Sequence, residues 1–185
     1  KHEPLFEQVD LIVIDATLST EALETVFELA DRYNARVCAD PTMPSLAVRL
    51  IPYLSSLYMI APNAAETTAL CGLPDPARTR ETAIEAARHL VSMGVGIAVV
   101  TLGEQGVAYA DGSGGGFIRA VRTQVVDATG AGDAFSAAVI FGLLNEVTVD
   151  EAMRLGMTAA ALTLQSHETV LPGLSQELLY DKLVV

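Results

Sequence analysis

Short, continuous runs of apolar residues alternate along this chain with longer segments in which apolar residues recur every three or four positions. The first pattern is typical of strands buried on both faces, and the second is typical of amphipathic helices. Their alternation predicts parallel β-α-β units with right-handed crossovers. The predicted strands lie at 11–14, 36–40, 57–60 and 97–102, and the helices begin near Ser19 or Thr20, at Pro44, at Asn63 and at Thr79.

The pattern changes in the second half of the chain. Two apolar segments there flank a glycine-rich stretch at 111–116, which predicts a hairpin with a flexible tip and an antiparallel end to the sheet. The sequence therefore predicts a single α/β domain over residues 1–185, with a mostly parallel sheet flanked by helices and a C-terminal antiparallel hairpin. The elements expected in this half are strands at 107–110, 117–121 and 123–126 and helices at 134–145 and 149–164.

Composition and charge narrow the classes of function. Hydrophobic residues make up 51% of the chain and charged residues 18%, yet no apolar run approaches the roughly 18 residues of a membrane span. The net charge of −12 argues against nucleic acid and anionic membranes as partners. Cys38 and Cys71 lack metal-ligand spacing, so we expect reduced, buried thiols in a cytoplasmic protein.

The richest chemistry lies in the stretch from Asp127 to Asp133, with sequence Asp-Ala-Thr-Gly-Ala-Gly-Asp. A small-residue turn between a strand and a helix can leave backbone N–H groups unpaired, which forms an anion site at the helix N-terminus. Asp133 has two interpretations of about equal weight on spacing alone. It either compensates the helix dipole or takes a proton from a nucleophile that attacks the anion.

Other routes to nucleotide chemistry find little support in the sequence. The only lysines are Lys1 and Lys182, so a bound phosphate would be held by backbone amides, a metal ion or an arginine. No P-loop motif is present, and Phe135 stands where a dinucleotide fingerprint would have its third glycine. A dehydrogenase is therefore disfavoured, although its activity would be simple to test.

The stretch from Asp127 to Asp133, followed by Ala-Phe, resembles the signature of the PfkB carbohydrate and nucleoside kinases, which implies a ribokinase-like, Rossmann-like fold. The resemblance implies that Asp133 is the catalytic base and also contacts the substrate. It implies that the amides of Gly130, Ala131 and Gly132 stabilise the transferring phosphoryl group. Asp127 and Thr129 are implied to help form a monovalent-cation site, occupied by K⁺, and Thr129 is also implied to lie beside the nucleotide.

Further motifs extend this resemblance to ATP and Mg²⁺. Asn63 and Glu66 form a capping box on spacing alone, and they also resemble the family's Asn-x-x-Glu motif, which organises Mg²⁺ through water. We expect both roles to coexist. Thr101, Gly103 and Gly106 are either a simple strand–turn–strand or the family's nucleotide-flanking segment. Asp40 is the last candidate, and it is either a turn residue or, as the resemblance implies, a substrate contact.

The resemblance extends from Asp15 to Pro172 and corresponds to the C-terminal part of a PfkB kinase, without the first strands and the lid. Lid strands mediate homodimers in this family, and a segment without them is expected to be marginally stable. The residues 40–42, 62–66 and 164–170 resemble the pseudouridine kinase branch. Ribose, another nucleoside and a sugar acid stay open as substrates, and so does a non-catalytic ATP-binding regulatory module.

Overall fold

The computed structural model describes residues 3–183 and contains a six-stranded sheet in which the strand order follows the chain order. The first four strands pair in parallel. The last two follow connections of only a few residues, too short for a crossover, so they run antiparallel. The predicted sheet is confirmed. Its strands are β1 (Leu11–Asp15), β2 (Arg36–Asp40), β3 (Met59–Ile60), β4 (Ile97–Thr101), β5 (Gly106–Asp111) and β6 (Gly114–Arg119).

Five of the helices within residues 3–183 begin after a residue whose side chain satisfies one of their first amides. Ser19, Asn63, Thr79, Thr148 and Ser175 each accept hydrogen bonds from amides of the helix that follows them. No helix among residues 3–183 is both long enough and apolar enough to cross a membrane. The helices are α1 (Thr20–Tyr33), α2 (Pro44–Ala47), α3 (Ala64–Cys71), α4 (Arg80–Ser92), α5 (Ala131–Leu144), α6 (Val149–Thr163) and α7 (Gln176–Asp181).

The chain forms two compact units, and the first comprises residues up to Leu102 together with Ala108–Phe117. Its core is formed by apolar side chains of the parallel strands and of the helices that follow them. The ring of Phe27 stacks on that of Tyr53 with centroids 4.3 Å apart. Parallel pairing places Asp15 and Asp40 in register at the carboxyl ends of β1 and β2, where ligands gather in such sheets.

The second unit comprises Gly103–Val107 and the residues from Ile118 onward. Its centre is the packing of α5 on α6. A Cβ atom at Gly156 would lie 2.6 Å from Val139 and 2.8 Å from the ring of Phe135, so the absence of a side chain there lets the two helices approach closely. This packing holds α5 against α6 at Phe135 and Val139, directly after the first turn of α5. The prediction of one single domain stays a prediction.

Two predicted elements are wrong. Residues 123–126 form no strand, because the amide of Val126 donates to the carbonyl of Leu164 at 2.8 Å instead of to a sheet neighbour. The helix predicted from Pro44 ends at Ala47 and continues as a 3₁₀ segment, Val48–Ser56. Pro52 lies inside that segment, and its ring and missing N–H oppose an α-helix.

The glycine-rich stretch also differs from the prediction of a flexible hairpin tip. The connection is a two-residue turn at Gly112 and Ser113, closed by the Asp111 carboxylate, which accepts from the Ser113 amide at 2.8 Å and the Gly114 amide at 3.0 Å. The glycines that follow belong to β6. A Cβ atom would lie 2.5 Å from the carbonyl oxygen of Tyr109 at Gly115 and 2.6 Å from the hydroxyl oxygen of Tyr109 at Gly116, so close approach, rather than flexibility, favours glycine at these two positions.

Candidate active site

The helix predicted at 134–145, after the Asp127–Asp133 turn, begins at Ala131 instead, so Gly132 and Asp133 lie in its first turn. Its start differs from those of α1, α3, α4, α6 and α7, which side chains cap. Gly130 is its N-cap, and no side chain accepts from its first amides. The first bond inside the helix runs from the Ala134 amide to the Gly130 carbonyl at 2.9 Å. Within residues 3–183, the amides of Gly132 and Asp133 donate to no carbonyl. Two N–H groups are therefore available to an anion.

The amide of Ala131, which the resemblance assigned to the same anion site, is already engaged. It donates to the carbonyl of Ala128 at 3.3 Å, a long bond that closes the turn. The structure therefore leaves the amides of Gly132 and Asp133 as the open donors of the first helical turn.

Gly130 is required by its surroundings. Its φ of +82° lies in the left-handed region, and a Cβ atom there would lie only 2.0 Å from the carbonyl oxygen of Thr169. Gly132 contrasts with it, since among residues 3–183 no atom would lie within 4 Å of a Cβ atom at Gly132. The space over Gly132 is thus open on the protein side.

Asp133 is the third residue of α5, and its carboxylate is exposed. Among the residues that the structure describes, this carboxylate makes no hydrogen bond or ion pair. It lies in the same helical turn as the open amides, with its lone pairs available to a proton donor. This placement fits both interpretations of Asp133, as a residue that compensates the helix dipole and as a base. The exposed carboxylate is accessible to a hydroxyl group that would give up its proton.

Asp127 shapes the turn that precedes α5. Its carboxylate accepts from the Thr129 amide at 2.8 Å, and hydrogen bonds from Thr129 lower the pKa of Asp127. The Asp127 amide in turn donates to the carbonyl of Leu164 at 3.4 Å. The structure therefore places Asp127 and Thr129 in one turn, which leads through Gly130 directly into the first turn of α5.

A second group of predicted residues lies in the first unit, at the carboxyl edge of the parallel strands. Asn63 and Thr101 pair through an isolated parallel bridge, and the Thr101 amide donates to the Pro62 carbonyl at 2.9 Å. Asp40 ends β2 and accepts from the Thr42 amide at 2.6 Å. Asp40, Asn63, Glu66 and Thr101 thus belong to one edge.

Glu66 completes a full capping box with Asn63. One carboxylate oxygen accepts from the Asn63 amide at 2.9 Å, and the other accepts from the Asn63 side-chain nitrogen at 2.7 Å. Burial raises the pKa of Glu66, hydrogen bonds from Asn63 oppose that shift, and the charge of Asp40 adds to it. The predicted capping role is present in the structure.

The same oxygens bear on the predicted Mg²⁺ contact. Each oxygen of Glu66 accepts one hydrogen bond from Asn63 and retains a further lone pair. Glu66 and Asp40 also interact as like charges, an arrangement that a nearby divalent cation would relieve. Carboxylate oxygens are the donors that Mg²⁺ prefers, together with water and phosphate. The donor set therefore fits an ion held near Glu66 through water.

The two glycines of the Thr101–Gly106 segment have different roles. Gly103 has a φ of +56° and open space around it. Gly106 has a φ of +122°, and its Cβ atom would lie 2.0 Å from the Ile118 carbonyl oxygen. The close approach at Gly106 is therefore made by β6 itself, which favours the simple strand–turn–strand interpretation at that position.

The sequence did not reveal the segment that contacts the turn before α5. Leu164 and Thr169 contact that turn through backbone carbonyls, which every residue type carries. Of the two thiols predicted to be buried, Cys38 is buried and Cys71 is half-buried. Burial raises the pKa of Cys38 to about 12 and that of Cys71 to about 11, and both are free.

Comparisons with known proteins show which family the chain is similar to. A family model described as the pfkB family carbohydrate kinase matches residues 1–176. A pseudouridine kinase of Escherichia coli is 28% identical over 176 residues, which is 95% of this chain and 55% of that protein. A guanosine-inosine kinase of Exiguobacterium acetylicum is 32% identical over 173 residues, which is 92% of this chain and 55% of that protein.

The fold is also found among solved structures. An Arabidopsis thaliana ribokinase complexed with ribose and ATP superposes with a TM-score of 0.78 at 24% identity, covering 90% of this chain and 53% of that one. The ribokinase-like fold predicted from the sequence is confirmed. The chain spans about half the length of the curated relatives described above, 55% in both cases.

Proposed function

Because this chain belongs to the pfkB family of carbohydrate kinases, we propose that it carries the catalytic part of an ATP-dependent kinase that phosphorylates a hydroxyl group of a sugar or nucleoside. The observation that supports this proposal is the start of α5. Within residues 3–183, two open backbone amides and the carboxylate of Asp133, which makes no hydrogen bond or ion pair, share one helical turn there. In-line phosphoryl transfer requires an anion-binding site and a base close to each other.

In the proposed reaction, the carboxylate of Asp133 accepts the proton of the acceptor hydroxyl. The hydroxyl oxygen forms a bond to the γ-phosphorus as the bond from that phosphorus to the β–γ bridging oxygen breaks, and ADP leaves with the electron pair of that bond. The amides of Gly132 and Asp133, together with the dipole of α5, stabilise negative charge on the transferring group. The products are a phosphate monoester and ADP.

The other predicted residues take supporting roles in this proposal. Mg²⁺ supplies charge neutralisation at the ATP phosphates, and Glu66 would hold it through water. Asp127 keeps the turn in shape through Thr129, and oxygen atoms of both residues would face a monovalent cation such as K⁺. Asp40 is proposed as a contact to substrate.

We propose pseudouridine as the acceptor. The resemblance of residues 40–42, 62–66 and 164–170 to that branch supports it, and so does the pseudouridine kinase among the relatives. A guanosine-inosine kinase at 32% identity supports a nucleoside more generally. Ribose, other nucleosides and sugar acids are the competing substrates.

The test is turnover by the full-length protein with Mg²⁺, ATP and a panel of acceptors. The panel holds pseudouridine, uridine, adenosine, ribose and 2-keto-3-deoxygluconate. ADP release gives the rate, and phosphorus NMR identifies the phosphate monoester. Preference for pseudouridine is expected. Preference for another acceptor would keep the mechanism and exclude the pseudouridine proposal. Binding of Mg·ATP without turnover of any acceptor would favour the regulatory module instead.

A further inference from the structure

The segment Leu164–Thr169, called the strap below, contacts the turn before α5 at both ends of that turn. At one end, the carbonyl of Leu164 accepts from the Val126 amide at 2.8 Å and from the Asp127 amide at 3.4 Å. At the other end, the carbonyl of Thr169 lies against the Cα of Gly130, where a Cβ atom would be 2.0 Å away. The position of the turn therefore depends on the distance between the two ends of the strap.

Ser166 sets the internal shape of the strap. Its hydroxyl oxygen accepts from the Glu168 amide at 2.9 Å, which closes a short turn between Leu164 and Thr169. Its own amide donates to the carbonyl of Thr163 at 2.9 Å, which ties it to the end of α6. Ser166 is half-buried, whereas the strap residues beside it are exposed. Among the described residues, Ser166 makes no hydrogen bond to the residues assigned to the reaction.

We propose that Ser166 is a positioning residue for phosphoryl transfer, because the turn that it closes in the strap sets where Gly130 and the open amides of α5 lie. This inference rests on the proposed kinase function. The strap touches the turn at Val126, Asp127 and Gly130, and α5 begins immediately after Gly130. A change in the strap therefore reaches the catalytic turn through backbone contacts alone.

The kinetic signature follows from where the amides act. The open amides stabilise charge that grows as the phosphoryl group is transferred, so their displacement weakens the transition state more than the bound substrates. Misplacement of catalytic groups by about 1 Å can lower a rate by about 100-fold. A smaller movement, passed on through the strap, is expected to lower kcat by about tenfold and to leave KM within about twofold.

The experiment compares three variants of the full-length protein. Ser166→Ala removes the hydroxyl, and Ser166→Thr restores it. Ser175→Ala is the matched control, because Ser175 also accepts an amide hydrogen bond, from Leu178 at 3.2 Å, but at the start of α7. Ser166→Ala is expected to have a kcat about tenfold lower than wild type at unchanged KM. Ser166→Thr is expected to recover the wild-type kcat. Ser175→Ala is expected to have the wild-type kcat.

Hydrogen exchange supplies a readout that does not depend on turnover. The amides of Val126 and Asp127 donate to the strap, so Ser166→Ala should lower their protection by about tenfold or more, and Ser175→Ala should not. Unchanged exchange and unchanged kcat in Ser166→Ala would overturn the positioning role, as would equal losses of kcat in both alanine variants. Absence of wild-type turnover would instead contradict the proposed kinase, and exchange would then decide whether Ser166 positions the turn.

Discussion

The starts of α3 and α5 have the same design in sequence and opposite outcomes in structure. Each has an acidic residue three positions after its N-cap, Glu66 after Asn63 and Asp133 after Gly130. Glu66 is 5% exposed and both of its oxygens accept hydrogen bonds from Asn63. Asp133 is exposed and makes no such bond among the described residues. One helix start is closed by its own side chains, and the other is left open.

The difference arises at the N-cap. Asn63 has an extended backbone and a side chain that accepts from the amides of Ala65 and Glu66. Gly130 has no side chain, and its left-handed backbone places the Thr169 carbonyl against its Cα. A glycine N-cap therefore gives up the stabilisation of a side-chain cap and keeps the first amides available. An open helix start that costs stability is the kind of feature expected at a functional site.

The largest expected effect is on kcat, and it tests Asp133 at the open helix start. Asp133→Asn removes the proposed base with little change in shape, so kcat should fall by about 1,000-fold while Mg·ATP binding persists. Steady-state kinetics and calorimetric titration of ATP measure the two quantities. The matched control is Glu151→Gln, because Glu151 holds the same position in α6, three residues after Thr148. Glu151→Gln should retain the wild-type kcat. Turnover of Asp133→Asn at the wild-type rate would show that Asp133 is not the base.

The two glycines of the open start give the next largest effect. Gly130→Ala places a Cβ atom 2.0 Å from the Thr169 oxygen at positive φ, so it should cost roughly 1–3 kcal/mol of stability and most of the activity. Gly132→Ala meets no protein atom within 4 Å and should be neutral or stabilise α5 by about 0.5–1 kcal/mol. Chemical unfolding measures both effects.

Turnover by Gly132→Ala then tests whether a ligand occupies the open space. The proposal predicts a clear loss of kcat in a protein that is at least as stable as wild type, because the new methyl group would meet the transferring phosphoryl group. Full activity in Gly132→Ala would contradict close approach of a ligand at this residue, and the comparison between open and closed helix starts would lose its functional meaning.

Much of the fold could be predicted from the sequence because its signals are local. Buried runs mark the strands, and Ser19, Asn63 and Thr79 mark helix starts by side chains that cap them. The errors arise where distant residues decide. The strand expected at 123–126 is absent because Leu164, far along the chain, takes the Val126 amide.

The candidate site was likewise predicted where its signals are local and missed where distant residues decide. The turn from Asp127 to Asp133 was predicted because its chemistry depends on side chains and on glycines with a distinctive pattern. The strap was missed as a structural element because Leu164 and Thr169 act through carbonyl oxygens. Gly115 and Gly116 were assigned to a flexible tip because glycine is typical both of flexible turns and of close approach, and only the packing against Tyr109 distinguishes the two.

A smaller effect is expected at the closed helix start. Asn63→Ala removes the side-chain cap of α3 and one of the two hydrogen bonds to the buried carboxylate of Glu66, the one from the Asn63 side-chain nitrogen, so it should cost about 2–3 kcal/mol. Thr79→Ala is the matched control, because Thr79 and Thr82 form the equivalent capping box at α4 in an exposed setting. Its cost should be about 1 kcal/mol. Equal losses in urea unfolding would show that burial of Glu66 adds nothing to the closed start.

The smallest expected effect is a pH dependence of opposite sign at Glu66 and Asp127. Burial raises the pKa of Glu66 above 4.5, so its stabilising contribution is present below 4.5 and is lost as the pH rises through the raised pKa. Hydrogen bonds from Thr129 lower the pKa of Asp127 below 3.8, so its contribution is present above 3.8 and is lost as the pH falls through the lowered pKa.

Unfolding free energies measured between pH 3 and pH 7 can separate these contributions. Glu66→Gln does not titrate at this position, so wild type should lose stability relative to this variant as the pH rises above about 4.5. Asp127→Asn should show the reverse, with wild type losing its relative advantage only as the pH falls below about 3.8. If wild type instead gained on Glu66→Gln with rising pH, the Asn63 hydrogen bonds would outweigh burial. The charged carboxylate of Glu66 would then stabilise the start of α3, whereas its raised pKa indicates that burial disfavours the charge.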